Sequence, residues 1–240
     1  MSDYSATQWV QADNTKAYCD TAEFFIQERR TMIQVMASLY RYFFRSSDHI
    51  RILDLGCGDG ILGETLLGID PEIDLVCVDG SSHMLKAARQ KLAGYQNTDF
   101  YQKTFKELIE QPPQWKPFSL IVSSLAIHHL VFYEKEALFR RLYSLLESDG
   151  FFLNIDVILP DHMLYEDWYY KMWREWIANH GMDLSEGESY IHIPEKARKN
   201  TENHFDKLPA QLDALRDAGY SHVECYYKYG LFSVYGGRRL

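Results

Sequence analysis

Cysteine is scarce in this chain, and the four present (Cys19, Cys57, Cys77 and Cys225) are far apart and show no metal-ligand spacing. That argues against a disulfide framework, and a reducing, cytoplasmic setting is expected. The nine histidines are dispersed, and the side chains of the adjacent pair His128 and His129 diverge, so no metal site is expected. No apolar run approaches the length of a membrane span, and the opening MSDYSATQWV is too polar for a signal peptide. Basic residues are outnumbered, 25 against 34 acidic ones, for a formal charge of −9. Non-specific affinity for nucleic acid or an anionic membrane is therefore not expected. Internal repeats, low-complexity tracts and interdomain linkers are absent, and strand signals vanish between Pro160 and about residue 206.

What is present reads as one domain spanning 1–240, with 46% hydrophobic and 25% charged residues in 240. Residues 22–45 carry Phe24, Phe25, Met32, Val35, Met36, Leu39 and Tyr40 at helical spacing, which predicts a helix within an N-terminal helical cap, 1–48. Strand and helix patterns then alternate. Strands are expected at 49–55, 73–79, 98–103, 118–125 and 150–159, with helices at 61–68, 81–94 and 134–148. A helical lid insertion occupies 160–206, and a helix at 208–219 precedes strands at 222–228 and 231–237. Only Tyr229-Gly230 separates the last two, so the final strand is expected to be antiparallel. The predicted fold is α/β: a doubly wound, Rossmann-like, seven-stranded and mainly parallel sheet with helices on both faces.

Within the stretch RILDLGCGDG (51–60), Gly56, Gly58 and Gly60 follow a buried apolar run. A glycine-rich turn between a first strand and its helix lets a ligand approach the backbone near a positive helix N-terminus. A dinucleotide site wants G-x-G-x-x-G, whereas here the third position is Ile61 and the spacing is G-x-G-x-G.

The pattern Asp54-x-Gly56-x-Gly58-x-Gly60 resembles the first motif of the class I S-adenosylmethionine-dependent methyltransferases, in their small-molecule, type 11/12-like subgroup. The stretch VCVDGSSHMLKAAR resembles that family's second signature, and SSLAIHHL (123–130) its fourth-strand end. The resemblance implies S-adenosylmethionine as cofactor and S-adenosylhomocysteine as product. It implies that Gly56, Gly58 and Gly60 cradle the methionine and ribose portions, with Asp54 contacting the amino group or ordering the loop. Asp79, beside Gly80, would accept both ribose hydroxyls, while Met84 and Phe105 would face the adenine. Thr104, or a backbone carbonyl, would meet the adenine amine. Ser124 would line the site, and Arg29 or Arg30 would pair with the cofactor's carboxylate.

Methyl transfer needs alignment and exclusion of water, and a general base only when the acceptor is protonated. His128 and His129 are the candidate bases, and the alternative use for either is to tie its loop together. Tyr165, Tyr169, Met172, Trp173 and Trp176 fall on one helical face of the insertion. That face either packs the insertion onto the sheet or lines a substrate lid, to which His192 would belong. Lys196, Arg198 and Lys199 are either a solvated face or a receiver for an acidic acceptor. The expected function is methyl transfer to a small molecule by in-line displacement. The alternatives are a methyltransferase acting on RNA or protein, and a protein that binds or remodels the cofactor without methylating. Arginine-lined pockets would mark the last.

Overall fold

The computed structural model describes residues 12–45, 47, 49–111, 113–180 and 190–240. Parts of the expected cap (1–11, 46 and 48) and of the insertion (181–189) lie outside the described residues.

Five strands run parallel: β1 (Arg51–Leu55), β2 (Asp74–Asp79), β3 (Thr98–Gln102), β4 (Phe118–Ser124) and β5 (Leu146–Val157). With β6 (Ser221–Tyr229) and β7 (Phe232–Arg238) they form one seven-stranded sheet of order β3-β2-β1-β4-β5-β7-β6. β7 is antiparallel to both β5 and β6, as its short hairpin requires, and Gly230 turns the corner at φ 55°. Strand order reverses between β1 and β4, the switch point at which such sheets open a crevice at the strands' carboxyl ends. Successive β1 residues point to opposite faces. Ile52 joins one apolar cluster with Met36, Tyr40, Leu75 and Leu120, and Leu53 joins another with Val76, Ile121, Phe139 and Phe152.

The helices are α1 (Ala12–Phe25), α2 (Arg29–Phe43), α3 (Ile61–Ile69), α4 (Ser82–Lys91), α5 (Phe105–Glu110), α6 (Phe132–Leu145), α7 (Glu166–His180), α8 (Ile193–Lys199) and α9 (Leu208–Asp217). Three depart from the sequence reading. The single helix expected over 22–45 is two, broken at Ile26–Glu28, with Glu28 in the left-handed region at φ 54°. α7 docks into that break. Trp173 Nε1 donates to the Phe25 carbonyl at 2.6 Å, and Gln27 Nε2 donates to the Met172 carbonyl at 3.1 Å. The first bond satisfies a carbonyl that a continuous helix would have paired internally, and the second fixes α7 at the break.

α5 was expected as loop, although Thr104 and Glu107 are spaced as a capping box and form one. In α7 the buried stripe is Tyr170, Trp173 and Ile177, rotated slightly from the expected face of Tyr165, Tyr169, Met172, Trp173 and Trp176, of which Trp173 is buried and Tyr169 and Trp176 are half-buried against the same core. Tyr165 precedes the helix, in a 3₁₀ turn, and is 42% exposed. The rotation follows from Trp173, which packs edge-on against Phe232 of β7 at 5.0 Å while its ring nitrogen holds α1.

Candidate functional site

The three glycines after β1 are needed for three different reasons. All have positive φ, which favours glycine at each. A Cβ on Gly56 would lie 2.5 Å from the Ala126 Cβ, so that position lets the β1 and β4 loops touch. A Cβ on Gly60 would press on Leu92 and Ala88 at 3.2 and 3.3 Å, so it serves the packing of α4 and does not line the cavity. A Cβ on Gly58 would meet nothing within 4 Å. Its face is open to a cavity of about 880 Å³ at the carboxyl ends of β1, β2 and β4.

Asp79, at the end of β2, is half-buried at the edge of this cavity. Its Oδ2 accepts from Gly58 N at 2.9 Å and its Oδ1 from Ser81 N at 2.8 Å. Burial raises its pKa against the opposing pull of those two N–H groups. Each oxygen retains a further lone pair. Asp54 does not line the cavity; it lies behind the loop, fully buried, and its Oδ2 accepts from Gly63 N at 3.2 Å. Burial pushes it up to about 7, with Gly63 N–H opposing and the charges of Asp79 and Asp59 adding. Of its two expected uses, the contacts made are those of ordering the loop and α3.

Gly80, Met84, Thr104, Phe105 and Ser124 all line the same cavity. The Thr104 hydroxyl is engaged in its own cap, donating to Glu107 Oε2 at 2.8 Å and accepting from Glu107 N at 3.2 Å. Met84 is positioned by the Ser81 cap of α4, whose Oγ accepts from Met84 N at 3.3 Å. Leu125, next along, holds φ 52°, a strained conformation for leucine worth about 1–2 kcal/mol, and its N–H donates to the Ile155 carbonyl at 2.8 Å.

Leu125 also walls a second cavity, of about 430 Å³. The two share Tyr18, Leu125 and His129. His128 lines only the smaller one. Its Nδ1 lies 2.5 Å from Asp156 Oδ1, and its backbone N–H donates to Asp156 Oδ2 at 3.0 Å. Asp156 is fully buried; burial would raise its pKa, but the charge and hydrogen bond of His128, with Lys135 and Val157 N–H, hold it below the ordinary carboxylate range. Asn154 Nδ2 braces it, donating to Asp156 Oδ2 at 3.2 Å, and also donates to the Tyr235 hydroxyl at 2.8 Å. An ionised partner at Nδ1 makes Nε2 the basic position of a neutral His128 ring. His129 differs: burial and the charge of His128 push it down to about 3, and its Nδ1 faces the Glu202 carbonyl at 3.2 Å.

Several expected residues are not brought here. Arg29 lines neither cavity; it pairs with Glu23 at 3.7 Å, although its charge opposes the burial that pushes Tyr18 up to about 12. Of the expected lid residues only Trp173 reaches the smaller cavity. Tyr165 stacks on Tyr169, Trp176 Nε1 donates to Glu28 Oε1 at 3.2 Å, and His192 is exposed. The sequence reading missed Tyr18, Tyr190, Phe205 and Phe232, and the segment 200–206, whose residues line both cavities. Only the aromatic richness of the chain, 15%, pointed toward them.

The larger cavity fits a sulfonium nucleoside by two observations: the space left open at Gly58, and walls carrying Asp79, Glu107, Glu134 and Glu202 for a cationic ligand. Among the described residues no cluster of His, Cys, Asp and Glu could hold a metal ion. Residues 53–152 match the family model for a methyltransferase domain. With this sheet order and glycine loop, the chain has the fold of the class I S-adenosylmethionine-dependent methyltransferases.

The chain is 26% identical over 194 residues to a carboxy-S-adenosyl-L-methionine synthase of Helicobacter pylori strain G27, covering 78% of this chain and 75% of that protein. It is also 26% identical over 183 residues to malonyl-[acyl-carrier protein] O-methyltransferase 2 of Ilyobacter polytropus, covering 76% and 65%. Human N-acetylserotonin methyltransferase, solved with S-adenosylmethionine, shares the fold with a TM-score of 0.61 at 15% identity, over 95% of this chain and 56% of that one. The chain spans about three fifths of the length of several solved structures it matches.

Proposed function

We propose that the chain transfers a methyl group from S-adenosylmethionine in the larger cavity to a small molecule in the smaller one. The observation that carries this reading is the adjacency of the two cavities, which share Tyr18, Leu125 and His129 as lining. Asp79 is the residue for the ribose hydroxyls, Met84 and Phe105 those for the adenine faces, and Gly56, Gly58, Gly80 and Ser124 line the nucleoside's bed. The whole chain is read as one domain, with the helices ahead of β1 as a cap and the insertion as a wall over the acceptor. Its setting is read as cytoplasmic, in keeping with four free cysteines.

When bound, S-adenosylmethionine supplies an electrophilic methyl on sulfur, which keeps the bonding pair as a neutral thioether while the acceptor gains the methyl. The chain orients the acceptor, excludes water and receives the proton of a protonated acceptor. His128 takes that proton at Nε2, and the buried Asp156 carboxylate stabilises the resulting imidazolium through Nδ1–H. His129, kept neutral by burial, acts instead as a tie to the Glu202 carbonyl.

A second reading, conversion of the cofactor to its carboxylated form, is favoured by the Helicobacter relatives. Against it, no arginine lines either cavity among the described residues. One series of measurements separates the two. S-adenosylhomocysteine is titrated calorimetrically, and turnover of S-adenosylmethionine with a panel of small acceptors is then followed by mass spectrometry. Methylated acceptor and S-adenosylhomocysteine are expected. In His128→Asn, turnover falls roughly 10²–10⁴-fold with S-adenosylhomocysteine affinity unchanged. A carboxylated cofactor as the product would transfer the assignment to the second reading, and no binding to folded protein would remove both.

A further inference from the structure

The two cavities differ in charge. Four carboxylates and two lysines, Lys103 and Lys106, line the larger, whereas among the described residues no Asp or Glu lines the smaller, in a chain that contains 34. Its one ammonium is Lys196, exposed on α8 at the cavity and without an ion pair among the described residues. Two neighbouring arginines are neutralised: Arg198 pairs with Glu166 and Asp167 at 3.2 and 2.9 Å, and Arg174 pairs with Glu195. Beside Lys196, Asn200 Oδ1 accepts from Glu202 N at 2.9 Å, so the amide edge left for a ligand is its Nδ2–H₂ donor. The cationic corner thus offers donors and no carboxylate.

The remaining walls are rings. Phe25 and Tyr190 stack at 6.5 Å with 26° between planes, Trp173 meets Phe232 edge-on, and Phe205 lies 5.4 Å from the His128 ring. About 430 Å³ is toward the lower end of small-molecule pockets, which run from about 300 to 1,000 Å³. Stacked and edge-on rings reward a planar occupant over a flexible aliphatic one of equal volume.

We infer that the acceptor is a hydroxylated aromatic acid: the ring among these aromatics, the hydroxyl at His128, and the anionic group at Lys196 and Asn200. This rests on the methyltransferase reading. The acceptor oxygen gains the methyl and its proton goes to His128 Nε2, so charge and atoms balance. An amine acceptor, cationic at neutral pH, would meet Lys196 and find no carboxylate to pair with.

The test uses 4-hydroxycinnamate, 4-hydroxybenzoate, their methyl esters, and the cationic phenol tyramine. Each is titrated calorimetrically into the full chain saturated with S-adenosylhomocysteine. At least one acid is expected to bind about tenfold more tightly than its ester, with tyramine weakest and the acid preference lost in Lys196→Met. Equal binding of acid and ester, preference for tyramine, an acid preference that survives Lys196→Met, or no binding by any probe overturns the acceptor assignment alone. Failure of S-adenosylhomocysteine itself to bind the folded protein, measured first, removes the methyltransferase reading as well.

Discussion

Burial acts on Asp54 and His129 in opposite senses. Asp54, pushed up to about 7, holds its proton more firmly folded than unfolded, where it titrates near 3.8. Between those values the folded state binds more protons, so this group's contribution to stability falls as pH rises through the window. His129, pushed down from 6.5 to about 3, binds its proton more readily when unfolded, so its contribution is lost as pH falls through that range. Asp54→Asn should therefore gain thermal stability relative to the parent as pH is raised from about 4 to about 8, and His129→Gln should gain on it as pH is lowered from about 7 to about 4. Differences in melting temperature that stay constant with pH would assign the slopes to other groups. Asp79 is expected to matter for binding instead. Asp79→Ala should weaken S-adenosylhomocysteine roughly a hundredfold, as loss of charge-assisted hydrogen bonds would, with a native circular-dichroism spectrum. Parental affinity in that variant would reject the ribose assignment.

The segment 200–206 is held as a strap over both cavities. His204 N–H donates to the His128 carbonyl at 2.7 Å, the Leu159 N–H to the Asp206 carbonyl at 2.9 Å, and Asn203 Nδ2 to the Ala197 carbonyl at 2.9 Å. Its main anchor is Lys135 of α6, fully buried, whose Nζ lies 2.6 Å from Asp206 Oδ2 and also donates to the His204 carbonyl. Lys135 sits on the helix's buried stripe with Leu138, Phe139 and Leu142, so only its long stem lets the charge cross that layer to the strap. Lys135→Met should cost about 3 kcal/mol, the lower end for breaking a buried pair because the Asp206 side chain keeps some exposure. Amide exchange at Leu159 and His204 should accelerate in the variant. Unchanged protection at both would mean the strap holds without its anchor.

The acidic balance of the chain bears on the choice among acceptors. The short basic run near residue 196 is partly spent on Glu166 and Asp167, and no described helix is long and apolar enough to cross a membrane. A net charge of −9 opposes non-specific binding of a polyanion. A short RNA should therefore show no salt-dependent retention in a filter-binding assay. Retention that declines steeply with salt would bring the nucleic-acid alternative forward.

The walls of the larger cavity around the glycine loop were legible because those parts are near one another in the chain. Asp54, the glycines and Asp79 belong to one strand–helix–strand unit, whose geometry follows from strand length, turn chemistry and a right-handed crossover. The seven strands and the antiparallel last strand were readable for the same reason, from alternating patterns and a two-residue turn. Even here the pattern concealed that Gly56 and Gly60 make room for Ala126 and for α4, since those neighbours come from other elements. The smaller cavity was not legible. Its walls come from α1, α7, the strap and β7, and which aromatics face inward depends on α7 seating in the break between α1 and α2. Helical periodicity predicts that a stripe exists, but the neighbour that buries it sets its angle. The two adjacent histidines were indistinguishable until β5 placed Asp156 against one and the strap placed the Glu202 carbonyl against the other. Local spacing thus specified what the loop can hold, and long-range packing selected which side chains reach the reacting partner.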